Sequence, residues 1–180
     1  MKTITSISDL GKIREKVIND KKNDKICINA CRGAGCTVFL AGEVYKVLEQ
    51  EFKKQDMEKS VRLESTGCHG FREKGLLIII YPRKIFCQEI KPDDVPGIIS
   101  KIVENREIIE CLLYDSPKTR EKITFENDVP FYNRQFMNLL ANNGAIDPVN
   151  IIDYIAIDSY TALTSYFDRY DFGCFRVESY

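Results

Sequence analysis

Apolar positions recur at helical spacing over residues 8–22, where Leu10, Ile13, Val17 and Ile18 share a face and Ser8 is placed to cap the start. Lys21-Lys22-Asn23-Asp24 then makes a polar break, and residues 25–30 are short and β-prone, which predicts a strand. The helical period returns over about 40–54. Val44, Val47, Leu48 and Phe52 form its stripe, while Glu43, Lys46, Glu49 and Lys53 face water. Residues 61–65 predict a second strand, and the unbroken apolar run 76–81 predicts a central one, stopped by Pro82. Residues 84–88 read as its hairpin partner. Pro92-Asp93-Asp94 opens a last helix that turns Val95, Ile98, Ile99, Ile102 and Val103 inward. This order predicts an α/β fold, a small mixed sheet with flanking helices.

After about residue 110 the pattern loosens. Asp115-Ser116-Pro117-Lys118-Thr119 and Glu126-Asn127-Asp128-Val129-Pro130 are breaks, followed by two short helical pieces, around 132–142 and 148–157, joined through Asn143-Gly144. Phe131, Phe136, Leu139, Leu140, Ile151, Tyr154 and Ile155 supply an apolar cluster too thin to fold alone. The segment is therefore expected to be poorly packed in isolation and to dock on something. No repeat or low-complexity tract is present.

Composition narrows the function. The 180 residues are 44% hydrophobic and 29% charged with a net charge of −1, so there is no basic field to recommend nucleic acid. Lysine pairs such as Lys53-Lys54 are diluted by acidic neighbours. No run approaches the roughly 18 apolar residues of a membrane span, and the polar start lacks the apolar core of a signal peptide. A cytoplasmic protein is expected. Seven cysteines are an odd number, and a reducing compartment does not favour a disulfide framework. Metal ligation or burial as small hydrophobes remain.

Spacing separates those two. Cys31-Arg32-Gly33-Ala34-Gly35-Cys36 is a C-x₄-C pair around glycines, which let backbone approach closely and aim N–H groups at sulfur. Thiolates and bridging sulfides of an iron–sulfur cluster carry excess negative charge and need such donors. Thirty-one residues separate Cys36 from Cys68, which lies in Thr66-Gly67-Cys68-His69-Gly70, again at the end of a predicted strand. Two glycine-flanked cysteine loops after separate strands can meet at one sheet edge, and two ligands per loop suit a two-iron cluster. There is no C-x-x-C, which argues against a thiol–disulfide enzyme, and no glycine-rich nucleotide loop, so no flavin or NAD site and no hydride transfer by this chain alone.

Cys31, Cys36 and Cys68 at this spacing resemble the thioredoxin-like [2Fe-2S] ferredoxin domain, as do Glu43 to Leu48, Leu76 to Pro82 and Lys91 to Pro96. The resemblance continues through Val129-Pro130-Phe131-Tyr132, Asn143 to Pro148 and Asp153 to Ala156, which are similar to the lead-in to the flavin- and NADH-binding domain in flavoprotein subunits of bacterial NADH dehydrogenases and NAD-linked hydrogenases. It implies an N-terminal helix over 1–24, a thioredoxin-like ferredoxin-type domain over 25–108, and a linker or docking segment over 109–180. It implies a [2Fe-2S] cluster on Cys31, Cys36 and Cys68, electron transfer as the function, and flavin/NADH-binding and other iron–sulfur subunits as partners. One departure matters. The family has a further cysteine four positions after the one matched by Cys68, and here that position is Arg72, which cannot ligate iron. His69, as an imidazole ligand, Cys87, or a small ligand or water are the candidates for the fourth position. The alternative is a cluster-free docking module in which Arg72 presents a fixed charge. Cys27, Cys111 and Cys174 have no role in the pattern.

Overall fold

In this computed structural model residues 6–21, 26–136, 138 and 141–170 are described, and they fall into two compact units, Asp24–Asp147 and a second made of Met1–Asn23 with Pro148–Tyr180. The larger holds a four-stranded sheet of β1 (Ile26–Cys31), β2 (Val61–Thr66), β3 (Ile78–Tyr81) and β4 (Ile85–Cys87) in the order β2-β1-β3-β4. β1 and β2 are parallel, with Cys31 opposite Thr66; β3 runs antiparallel to β1, and β4 to β3. The parallel pair is joined by α2 (Ala41–Lys54), whose Val44, Leu48 and Phe52 are buried, as the stripe predicts. This is a thioredoxin-like sheet: a parallel β-α-β unit followed by a β-hairpin and a helix.

The continuous run on β3 has the cause assigned to it, since Ile78, Ile79 and Ile80 are buried between β1 and β4 with both faces covered. The last helix is less regular than its period suggests. α3 (Val95–Gly97) passes directly into π-helical winding over Ile98–Glu104. Bonding i to i+5 stacks residues four and five apart, and Ile98, Ile99, Ile102 and Val103 are all buried together.

The segment after 108 differs from expectation. Leu112, Leu113, Tyr114 and Val129 are buried in the same core as the sheet. The outer edge of β4 is closed by this segment: Phe86 N–H donates to Thr124 O at 2.9 Å and Gln88 N–H to Leu112 O at 2.8 Å. A short ribbon, β5 (Tyr114–Asp115) and β6 (Lys122–Ile123), lies within it. Covering an edge strand satisfies its free backbone groups, and no periodic pattern announces a cover made of turns. Of the helix expected around 132–142, the described residues hold only α4 (Pro130–Asn133), whose Phe131 and Tyr132 pack around Phe71 and Phe86. Leu139 and Leu140 lie outside the described residues.

In the other unit α1 (Ile7–Lys21) packs against α5 (Ile151–Ala156), followed by α6 (Thr161–Tyr170). Asn150 caps α5 through its side chain, which accepts from Ile152 N–H at 3.0 Å. Arg14 and Asp158 pair at 2.9 Å.

Candidate metal centre

β1 and β2 are parallel neighbours, so the loops that leave their C-terminal ends emerge on the same side of the sheet. Cys31 ends β1, and Thr66, its register partner, ends β2 two residues before Cys68. Arg32 N–H donates to Thr66 O at 2.9 Å, which ties the two loops together at their base. From Gly33 the chain winds into a 3₁₀ turn over Ala34–Phe39, with Cys36 N–H donating to Gly33 O at 2.7 Å, and this turns Cys36 back toward Cys31. The sulfurs of Cys31, Cys36 and Cys68 lie within 4.8 Å of one another, and those of Cys31 and Cys36 are 2.8 Å apart.

Glycine is required for this convergence at one place above all. A Cβ on Gly33 would stand 2.8 Å from Cys68 Cβ and 3.1 Å from its backbone nitrogen. Gly70, with φ of +87°, turns the second loop and donates its N–H to Cys68 Sγ at 3.3 Å.

Arg72 occupies the remaining side. Its guanidinium lies against Gly35, where a Cβ would be 2.9 Å from Cζ and Nε, and its charge acts on Cys68. Burial pushes the Cys68 thiol up, but the Arg72 guanidinium and the Gly70 N–H outweigh it and hold the thiol below its ordinary range. Cys36 is pushed up to about 12, by burial first and then by its hydrogen bond and charge interaction with Cys31 and Cys68. Arg32 is directed elsewhere, with its guanidinium carbon 4.5 Å from the centroid of the Tyr45 ring.

Neither side-chain candidate for a fourth ligand joins the three thiols among the described residues. Cys87 is fully buried on β4, in register with Ile78 and through it with Ala30. Two strand spacings of about 4.8 Å therefore separate it from β1. His69 is not the exposed loop residue its glycine neighbours suggest. It is buried, with Nε2 3.5 Å from Thr66 Oγ1 and Nδ1 4.0 Å from Glu126 Oε1. Burial lowers its pKa to about 4.

The sequence pattern missed what holds His69 there. Its ring rests on Gly144, where a Cβ would be 2.5 Å from the ring. Asn29 Nδ2 donates to Gly144 O at 3.3 Å, and Gly67 N–H donates to Ile146 O at 3.1 Å. Residues 143–146 thus cover the second cysteine loop, while Phe131 stacks on Phe71 at 4.2 Å beside it. Asn143-Gly144 reads as a connection between helices; only the backbone's need for a close approach at Gly67 and Gly144 hints at the contact.

Three thiols fit three of the four thiolate positions of a two-iron cluster, with an N–H donor and a guanidinium charge directed at one of them. The chain thus carries a thioredoxin-like sheet with three cysteines converging beyond the ends of its parallel strands. The sequence is 26% identical over 101 residues to the 2Fe-2S ferredoxin of Clostridium pasteurianum, covering 53% of this chain and 98% of that relative. Two solved structures of the thioredoxin-like [2Fe-2S] ferredoxin from Aquifex aeolicus, one of them the wild type, are also similar. Each is 20% identical with a TM-score of 0.47, and they cover 56% and 52% of this chain and 99% of their own. No protein-family model matches the chain.

Proposed function

We propose that this chain is the iron–sulfur module of an NADH-dependent flavoprotein oxidoreductase of the dehydrogenase or hydrogenase kind, with Cys31, Cys36 and Cys68 as its cluster ligands. The observation that carries the reading is the convergence of three thiols from two glycine loops on parallel strands. Bound there, a two-iron cluster supplies one-electron transfer. The chain's own residues hold it and set its potential. Gly70 N–H donates to Cys68 and the Arg72 charge acts on it, and each favours the more negative, reduced state. With one thiolate fewer and a guanidinium beside it, the centre should be reduced at a higher potential than a four-thiolate site in the same fold.

Partner contact is supported at the rim of the first loop, where Val38 is 79% exposed and followed by the exposed Phe39 and Leu40. Apolar surface beside a redox centre is what a flavin- or iron–sulfur-bearing partner would cover. Among the described residues no helix is long and apolar enough to cross a membrane, and the six described cysteines are free thiols, which suits a cytoplasmic setting.

A second reading, a cluster-free docking module, draws on Arg72, whose charge already acts on Cys68 and which packs on Gly35. Arg72→Cys separates the two. If the site is a ferredoxin site lacking one ligand, the variant reconstituted anaerobically with iron and sulfide should hold about two irons per chain, with the visible absorption and reduced-state paramagnetic signal of a two-iron centre. The wild type should hold its iron more loosely. A variant that binds no more iron than the wild type, with neither showing a cluster spectrum, would establish the docking module.

A further inference from the structure

We propose that the fourth position of the three-thiol site takes an exogenous ligand: a small thiol bearing a carboxylate, whose sulfur completes the donor set and whose carboxylate pairs with Arg72. This rests on the cluster reading above. Among the described residues no other side chain completes the set. Cys87 is shut in the core, and Cys27 donates to Asn29 Oδ1 at 3.2 Å. Cys111 lies on a separate turn outside the group, and His69 is enclosed by Gly144, Thr66 and Glu126. Cys174 lies outside the described residues, and of the described side chains beside the three thiols, Arg72 is the cationic one that borders both loops.

Arg72 is exposed, and its guanidinium reaches both loops, Gly35 on one and Cys68 on the other. Guanidinium carries five donors in a fixed fork, more than one sulfur can accept, and that fork matches a carboxylate. What the site lacks is a thiolate, the donor iron of this kind prefers. One molecule carrying both groups satisfies both needs. On binding, the thiol would give its proton to solvent and take the fourth position as a thiolate, with any solvent held there released and no electron moved.

The test uses the whole chain reconstituted with iron and sulfide, titrated separately with mercaptopropionate and with mercaptoethanol, which differ in the carboxylate. Visible circular dichroism and the reduced-state paramagnetic spectrum report binding. Both thiols should shift the spectrum, with mercaptopropionate binding roughly tenfold tighter, the factor one charge-assisted contact in a partly exposed site supports. At equal iron content, Arg72→Gln should abolish that preference. Gly35→Ala, whose methyl displaces the guanidinium while leaving every cysteine in place, should narrow it. A loaded wild type whose spectrum neither thiol moves, or which binds both equally, overturns this inference alone. A chain that takes up no iron overturns the cluster reading and this inference with it.

Discussion

A methyl group on Gly33 and one on Gly35 would meet different kinds of neighbour, although both glycines lie between the same two cysteines. At Gly33 the obstacle is Cys68 Cβ at 2.8 Å and its backbone nitrogen at 3.1 Å, neither of which can move without moving the loop. At Gly35 the obstacle is the far end of a flexible arginine. Gly33→Ala should therefore part the two loops, at a cost on the order of 1–3 kcal/mol in apo stability, and lower iron uptake at least about tenfold while far-ultraviolet circular dichroism stays unchanged. Iron content after desalting, compared with Gly35→Ala, checks this. Uptake equal to wild type would mean the loops do not need this contact. The convergence of Cys31, Cys36 and Cys68 was legible because cysteine spacing and flanking glycine are written into the chain. The fates of His69 and Cys87 were not, since the register of β4 and the cover over His69 come from residues far away in sequence.

Among the elements, α4 and the turn-rich stretch before it act as the fourth side of the sheet's core. Phe131 stacks on Phe71 with ring planes 1° apart and meets Tyr132 edge-on at 5.1 Å. Phe71 is itself buried against Phe86 and Tyr114, so the stack joins α4 to the hairpin. Phe131→Ala should cost about 2 kcal/mol, less than full burial of the ring would give because Phe131 is only half-buried. A lower urea midpoint at unchanged slope is the expected result; no change in midpoint would show that the stack contributes nothing. Strands and α2 could be read from their periods. The closing of the β4 edge could not, because its bonds come from carbonyls of Leu112 and Thr124, and backbone acceptors leave no mark on composition.

For the larger unit as a whole, stability depends on a polar pair enclosed with the aromatic cluster. His69 is held neutral by burial, its pKa lowered to about 4 against an unfolded value of about 6.5. Nδ1 stands 4.0 Å from Glu126 Oε1, beyond hydrogen-bond reach, so the carboxylate does not offset the burial. Between pH 6.5 and 4 the unfolded chain binds the proton and the folded one does not, so stability falls as pH falls through that window, by about 3 kcal/mol in all. Glu126 works in the opposite sense. Burial raises its pKa, against the pull of Lys84, so its contribution is full below the unfolded carboxyl value and is lost as pH rises through the folded one. His69→Gln should flatten the acid limb of the stability–pH curve of the apo protein measured by urea denaturation; an unchanged limb would refute the assignment. The same enclosure carries a temporal consequence. The cysteines are made early in synthesis, but the backbone that seals the second loop, Gly144 and Ile146, is made some eighty residues after Cys68. On the ribosome the thiols therefore emerge before their cover, and a chain still being translated leaves the second cysteine loop open to any passing metal or oxidant. The enclosure of the second loop is therefore completed late in synthesis, after all three converging thiols have been made.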